Sequence, residues 1–244
     1  MRPHLVSWAT THPGSKRPVN QDSYVNRPDL GLFAVADGAG GHQGGEIASG
    51  LLRQALEAVG APPNPPASRD QVCRAVADAH AKLRTLAAEK GPGAMMASTV
   101  VVLILRDGDY TCLWAGDSRG YLLRDGHLRQ VTHDHSLVQE LLDSGAITAA
   151  EAQNHPRGNI ITRAVGADED PVLDHVTGRL RGGDRFLLCT DGIFKTIPHD
   201  DIAHILMRER SPTQAMIAAA LDRHASDNVT AVAVTVSAVP ADGT

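Results

Sequence analysis

Helical and strand-forming segments come in groups along this chain, and the grouping restricts the folds open to it. Two amphipathic helical patterns lie within residues 46–89, and β-branched segments joined by Asp-Gly turns follow within residues 98–131. Strand patterns within residues 172–189 then precede two helical patterns within residues 200–224 and a last strand at residues 229–236. A doubly wound parallel sheet would alternate strands and helices one to one. The order therefore favours an α+β sandwich, with antiparallel sheets inside and helices outside.

Four Asp-Gly pairs in the body of the chain divide into two kinds by their surroundings. Asp107 and Asp125 stand next to arginines between hairpin strands, a setting typical of turns. Asp37 and Asp191 instead follow the apolar runs FAVA and FLLCT. Each of these two carboxylates is therefore expected where a buried strand reaches the surface.

Three further aspartates, Asp22, Asp117 and Asp227, lie beside strand-forming segments in the same way. Carboxylates brought together repel one another and lose hydration, so a cluster of them requires cations. Oxygen ligands without His or Cys select Mg²⁺ or Mn²⁺ over zinc, and the twelve histidines show no HExxH or comparable spacing. Spacing alone does not decide whether such a metal site forms.

Composition argues against several classes of partner and location. The net charge is −5 and aromatic residues make up only 3% of the chain, which disfavours binding to nucleic acid. No apolar run approaches the length of a membrane span, and the amino terminus lacks the apolar segment of a signal peptide. The three cysteines, Cys73, Cys112 and Cys189, are expected to be small buried core residues. We expect a monomeric, cytoplasmic protein that binds neither nucleic acid nor membrane.

Eight short motifs occur in order along nearly the whole chain and contain all five of these acids. They are Arg17–Asp22, Val35–His42, Ala97–Val100, Ala115–Tyr121, Thr132–Ser136, Thr162–Gly166, Leu188–Gly192 and Asp227–Thr230. In sequence and order they resemble the motifs of the metal-dependent serine/threonine protein phosphatases of type 2C. The resemblance implies a four-layer αββα sandwich with two central antiparallel sheets flanked by helix pairs. It also implies a single phosphatase domain at residues 1–238, followed by a short tail at residues 239–244.

The resemblance implies a binuclear centre of Mn²⁺ or Mg²⁺ ions. Asp37 would bridge the two ions, the Gly38 carbonyl would bind the second, and Asp191 and Asp227 would bind the first. Asp22 would hold waters bound to the metals. A water bridging two divalent ions has a lowered pKa and can attack phosphorus directly, so no phosphoenzyme is required.

Two further roles follow from the same resemblance. Asp117 and Asp191 would form a third, weaker metal site of the kind found in bacterial members. Arg17 would bind the substrate phosphate, because a guanidinium fork fits two phosphate oxygens. The substrates would be phosphoserine and phosphothreonine proteins. The short length of the chain suits a stand-alone bacterial enzyme that opposes a serine/threonine kinase.

Several positions depart from the family pattern or leave a role open. Gln21 replaces a frequent Glu near the second metal, and Ala39 replaces a histidine proposed elsewhere as general acid. His42 and His155 are candidates for that role, although both fit ordinary loop or turn histidines better. Lys195 is expected to be solvated, with a position near the phosphate as the alternative.

The polar stretch Val138–Ile160 corresponds to the place where family members carry a mobile flap beside the active site. It is predicted to influence substrate choice, or else to be a surface helix and loop without substrate contacts. Two other functions stay open: a catalytically silent module that binds phosphoproteins, and hydrolysis of small phosphoesters. A nucleotide-binding loop at Gly38–Gly45 is disfavoured, because Gln43 interrupts the G-x-G-x-x-G spacing and no Gly-Lys-Ser/Thr follows.

Overall fold

Two antiparallel sheets packed face to face form the centre of the fold. The computed structural model describes residues 4–41, 43–61, 64–153, 155–167 and 169–238. The strands in these ranges are β1 (His4–His12), β2 (Asp22–Arg27), β3 (Leu32–Ala39), β4 (Ala97–Ser98), β5 (Val100–Arg106), β6 (Asp109–Ala115), β7 (Arg119–Arg124), β8 (His127–Gln130), β9 (Asp174–Arg179), β10 (Arg185–Cys189) and β11 (Val229–Ala238).

Helices cover both outer faces of this pair of sheets. The helices of the described ranges are α1 (Gly44–Glu57), α2 (Pro65–Lys90), α3 (Leu137–Asp143), α4 (Ala149–Gln153), α5 (Asp191–Phe194), α6 (His199–Arg208) and α7 (Pro212–Asp222). Within the described ranges, no helix combines the length and the apolar character that a membrane crossing requires.

The strand order is β1-β11-β10-β7-β8 in the first sheet and β2-β3-β5-β6-β9 in the second, where the short β4 also pairs with β3. Paired strands run antiparallel in both sheets. Helices α1 and α2 pack on the outer face of the second sheet, and α6 and α7 pack on the outer face of the first. The predicted αββα sandwich is confirmed.

Side chains alternate along the central strands and so fill two layers at once. In β3, Phe33 and Val35 point into the core between the sheets, whereas Ala34 and Ala36 face α1 and α2. Strand β11 repeats the arrangement, with valines between the sheets and alanines on the side that faces the helices. In these two strands the larger side chains therefore lie mainly in the inter-sheet core, and the alanines lie against the helices.

The sequence pattern does not predict β1 and β2. Both are edge strands, and most of their side chains are only half-buried, so neither contains a continuous apolar run. The predicted turns at Asp107 and Asp125 are present. Each Asp has a positive φ, 51° and 52°, and each is followed by a glycine with positive φ, as a two-residue hairpin turn requires.

The expectation for the cysteines is correct at two positions and wrong at one. Cys112 and Cys189 are buried, but Cys73 is exposed. The buried positions of α2 nearest to it in sequence are Val72 and Val76. Residue 73 is rotated about 100° around the helix axis from residue 72 and so lies on the solvent side.

The inter-sheet core generates a stability prediction. Leu103 is fully buried there, and Leu103→Ala should lower the free energy of unfolding by about 2 to 5 kcal/mol through lost apolar contacts and a cavity. Urea unfolding measures the change. Val6→Ala, at an exposed position of β1, is the control and should stay within about 1 kcal/mol of wild type. Equal losses in both variants would contradict this assignment of the core.

Candidate active site

Five aspartates gather where strands of the two sheets end. Asp22 begins β2, Asp37 lies near the end of β3, Asp117 follows β6, Asp191 begins α5 directly after β10, and Asp227 precedes β11. Asp22 stands opposite Asp37 in the β2–β3 pairing. Burial, and then the negative charges of the other four carboxylates, raise the pKa of Asp37 well above its usual range. The structure thus brings all five predicted acids together.

The Asp22 side chain joins the two sheets. Its Oδ2 accepts hydrogen bonds from the hydroxyls of Thr190, at 2.8 Å, and Thr230, at 2.7 Å. Its Oδ1 is buried and has no hydrogen-bond partner among the described residues. Burial raises the pKa of Asp22 to about 7, although the two threonine hydroxyls act in the opposite direction. One oxygen is therefore held in place while the other remains an unsatisfied acceptor.

Backbone contacts fix Asp37 and the glycine that follows it. The Asp37 amide donates to Thr99 Oγ1 at 3.1 Å, and its carbonyl accepts from the Ser98 hydroxyl at 2.9 Å. A Cβ on Gly38 would lie 1.9 Å from the Gly45 carbonyl oxygen in the first turn of α1. Only glycine allows the helix to approach the strand so closely.

Asp117 lies in the loop between β6 and β7 and is 5% exposed. The preceding Gly116 has a φ of 105°, and its amide donates to Nδ1 of the buried His135 at 3.2 Å. Burial and the charge of Asp191 raise the pKa of Asp117 to about 6, whereas the Lys195 ammonium acts to lower it. The loop conformation thus places a buried carboxyl group beside Asp191.

Arg17 contacts one of the acids directly. Its Nε and Nη2 donate to the two carboxylate oxygens of Asp227, each at 2.9 Å. The buried Asn228 organises the segment that carries Arg17, because its Oδ1 accepts from the Gln21 amide at 2.8 Å and its Nδ2 donates to the Val19 carbonyl at 3.1 Å. The guanidinium is therefore at the site, with its fork on a carboxylate.

Lys195 also lies at the site, where its side chain is 37% exposed, as expected of a solvated lysine, but its ammonium contacts two side chains. Its Nζ donates to Asp191 Oδ2 at 2.7 Å and to Asn159 Oδ1 at 2.8 Å. The one-turn helix α5 separates Lys195 from Asp191 by four residues, the spacing at which helical side chains meet. Two of the five acids are thus in contact with cations of the chain itself.

A cavity of about 700 Å³ adjoins the acids. Asp117 and Lys195 line one side of it, and the stretch Val138–Ile160 lines the other through residues that include His155 and Asn159. The base of this stretch is closed by a hydrogen bond of 2.9 Å from the Leu137 amide to the Ile160 carbonyl. We call the described residues of this stretch, 138–153 and 155–160, the flap.

The donor set fits a hard divalent cation. No three His, Cys, Asp or Glu side chains in the described part of the chain form a ready-made metal cluster. The five carboxylates nevertheless supply the oxygen ligands that Mg²⁺ and Mn²⁺ prefer. The unpartnered Oδ1 of Asp22 adds a buried acceptor suited to the hydration shell of such an ion. The residues present therefore match the group that the motifs imply.

Comparison with known proteins decides the family. Residues 11–231 match the sequence profile described as "Protein phosphatase 2C". The chain belongs to the protein phosphatase 2C family. The serine/threonine phosphatase stp of Listeria welshimeri is 32% identical over 234 residues, which are 92% of this chain and 93% of that protein.

Two solved structures of the family are similar over nearly the whole chain. PppA, a key regulatory component of T6SS in Pseudomonas aeruginosa, is 36% identical with a TM-score of 0.88 and covers 95% of this chain and 97% of its own. The catalytic domain of the serine/threonine protein phosphatase PstP, in complex with two manganese ions, is 32% identical with a TM-score of 0.85. That match covers 95% of this chain and 97% of the PstP chain.

Sequence reasoning missed the residues that position the acids of this phosphatase 2C chain. Thr190, Thr230 and Asn228 lie inside the quoted motifs, but no role is assigned to them there. The available signal was their position beside an acid at a strand end. Of the two histidines considered as general acid, His155 accepts from the Arg157 amide in a turn at 3.2 Å, and His42 lies outside the described residues.

The raised pKa of Asp22 leads to a prediction about pH. Its folded-state value of about 7 exceeds that of an unfolded aspartate, about 3.9, so the folded chain binds more protons between these values. Its contribution should therefore lower the free energy of unfolding of metal-free protein as pH rises from about 4 to about 7. Asp22→Asn should reduce this fall, because asparagine does not titrate.

Urea unfolding in EDTA at about pH 5 and about pH 8 measures the effect. Asp78→Asn, on the exposed side of α2, is the matched control and should retain the wild-type difference. The same fall in Asp22→Asn as in wild type would assign the pH dependence to other groups.

Proposed function

We propose that this chain is a metal-dependent protein serine/threonine phosphatase that hydrolyses phosphoserine and phosphothreonine residues at a centre holding two Mn²⁺ or Mg²⁺ ions. The observation that carries the proposal is the convergence of five carboxylates, one with a buried and unpartnered oxygen, at the end of the two sheets. Relatives named serine/threonine phosphatases, and the manganese-bound structure of PstP, support it.

The proposed metal ligands follow the motif positions. We infer that Asp37, Asp191 and Asp227 would hold the two ions together with the Gly38 carbonyl, and that Asp22 would act through their hydration shell. When bound, two such ions lower the pKa of water and make hydroxide available near neutral pH. The chain supplies the rigidity: Thr190 and Thr230 hold Asp22 through its Oδ2, so its other oxygen is oriented before any ligand binds.

Arg17 is proposed to bind the substrate phosphate. Its side chain is more than half exposed and reaches the acids from the loop before β2. A fork that fits the two oxygens of Asp227 also fits two phosphate oxygens. We infer that Arg17 exchanges Asp227 for the phosphate when substrate binds. An exposed ion pair contributes at most about 1 kcal/mol, so the exchange costs little.

The substrates are proposed to be phosphoproteins, and the functional antagonist a serine/threonine kinase of the same cell. Residues 1–238 are proposed to act as one phosphatase domain. The presence of all five acids together with Arg17 favours an active enzyme over a silent binding module, because loss of the ligands is the expected first step toward inactivity. Comparing turnover of a phosphothreonine peptide with that of p-nitrophenyl phosphate separates a protein phosphatase from an enzyme of small phosphoesters.

Removal of the metal should abolish activity. We expect no turnover of a phosphothreonine peptide after exhaustive chelation, and recovery on addition of Mn²⁺ or Mg²⁺. Asp37→Asn and Asp191→Asn should each lower kcat by at least about 10²-fold, because each removes a ligand and its charge. Asp78→Asn serves as the control. Full turnover by metal-free enzyme would refute the mechanism, and near-normal rates in both ligand variants would show that these two carboxylates do not hold the catalytic ions.

Arg17→Ala should raise KM for a phosphothreonine peptide. A charge-assisted contact is worth about 1.5 to 3 kcal/mol, so kcat/KM should fall about ten- to a hundredfold. Arg17→Lys should recover little of this, because lysine lacks the two-pronged geometry. The midpoint of the Mn²⁺ titration should move by less than about fivefold, since the Arg17–Asp227 pair is exposed. Unchanged kcat/KM in Arg17→Ala would show that another group holds the phosphate.

A further inference from the structure

Lys195, whose side chain is 37% exposed, combines three structural relationships at the acid cluster. Its ammonium is 2.7 Å from Asp191 Oδ2, it lines the same cavity as Asp117, and it reaches across that cavity to the flap residue Asn159. It therefore lies at the meeting point of two proposed metal ligands and the flap.

The electrostatic surroundings of this ammonium are strongly negative. Burial acts to lower the pKa of Lys195, but the charges of Asp191, Asp117 and Asp37 raise it above its ordinary value. The ammonium carries the ordinary positive charge of a lysine and lies in contact with the Asp191 carboxylate. It supplies one positive charge that contacts Asp191 and shares a cavity with Asp117, the two acids to which the family resemblance assigns a third metal ion.

A divalent ion and this ammonium compete for the same oxygen. With Nζ at 2.7 Å, Asp191 Oδ2 has a strong donor in contact, and a further cation shared by Asp191 and Asp117 would be repelled by the nearby positive charge. Both hydrogen bonds of the ammonium have lengths typical of charge-assisted contacts. The Lys195 ammonium thus offsets the negative charge of the Asp191 carboxylate, as a bound metal ion would otherwise do.

The contact with Asn159 gives the lysine a second effect. Asn159 lies next to Ile160, whose carbonyl closes the base of the flap on the Leu137 amide. The flap is connected to the acid cluster through the path Asn159 Oδ1, Lys195 Nζ and Asp191 Oδ2. The path consists only of side chains of this chain, so it can hold the flap over the cavity independently of a third cation.

We propose that Lys195 is a positioning residue that takes the place of a third metal ion between Asp191 and Asp117 and fastens the flap to the active site through Asn159. The inference rests on the proposed phosphatase function, because it concerns the metal ligands of that site. It predicts a chain that binds two ions well and a third one poorly, with a flap that is ordered in the metal-free protein.

The number of Mn²⁺ ions bound per chain tests whether Lys195 takes the place of a third metal ion. In calorimetric titrations with MnCl₂, Lys195→Met should bind a third equivalent at least about tenfold more tightly than wild type, because it removes the competing charge. Lys195→Arg, which keeps the charge, and Lys82→Met, at an exposed position of α2, should behave like wild type. The same stoichiometry and affinities in Lys195→Met and wild type would overturn the proposal.

Cleavage of the metal-free protein by trypsin tests whether Lys195 fastens the flap to the active site through Asn159. Arg157 is the only Lys or Arg in residues 138–160, so the rate of tryptic cleavage after it, followed by mass spectrometry in EDTA, reports flap opening. Lys195→Met and Asn159→Ala should each be cut at least about threefold faster than wild type, and Lys82→Met at the wild-type rate. Asn159→Ala leaves the acid cluster intact and so keeps the test valid if Lys195→Met folds poorly. Wild-type rates in Asn159→Ala would overturn the flap contact.

Turnover of a phosphothreonine peptide by the Mn²⁺-loaded wild type is measured alongside. Its absence would refute the proposed function, while the Mn²⁺ counts and the cleavage rates would still support or overturn the role of Lys195. Normal turnover, with no change in either count or cleavage rate among the variants, would leave the phosphatase proposal standing and reject the inference about Lys195.

Discussion

Mutual repulsion of carboxylates is the constraint on which the site depends. Five aspartates converge at one place, and burial together with four neighbouring charges raises the pKa of Asp37 well above its usual range. Such a cluster is unfavourable unless hydrogen bonds, cations or protons offset the charge. The chain uses all three means: threonine hydroxyls on Asp22, basic side chains on Asp191 and Asp227, and a pKa of about 7 at Asp22.

The αββα sandwich provides the stiffness that this arrangement requires. The acids come from both sheets, so their separation depends on how the sheets pack. The Thr190 and Thr230 hydroxyls, from the first sheet, converge on Asp22 from the second. A large inter-sheet core lies behind these contacts, and Gly38 lets α1 approach the strand that carries Asp37. The packing between the two sheets therefore determines both the stability of the fold and the geometry of the site.

Two basic residues balance the cluster in different ways. Arg17 lies on the outside, more than half exposed, with a planar fork suited to exchange between a carboxylate and a phosphate. Lys195 is more buried and contacts both Asp191 and the flap. The exposed position of Arg17 suits binding of the substrate phosphate. The position of Lys195 suits a role in holding the flap against the active site.

The sequence alone determined the layered α+β architecture, because grouped helices and hairpins bury their apolar faces in few ways, and it determined which acids lie at strand ends. It left β1 and β2 unassigned, since half-buried edge strands carry no apolar run. Only the tertiary structure decided the partners of the acids. The Asp22–Thr190, Asp22–Thr230 and Asn159–Lys195 contacts join residues 168, 208 and 36 positions apart. Local patterns do not encode such pairs, because they form only when separate strands and the flap pack together.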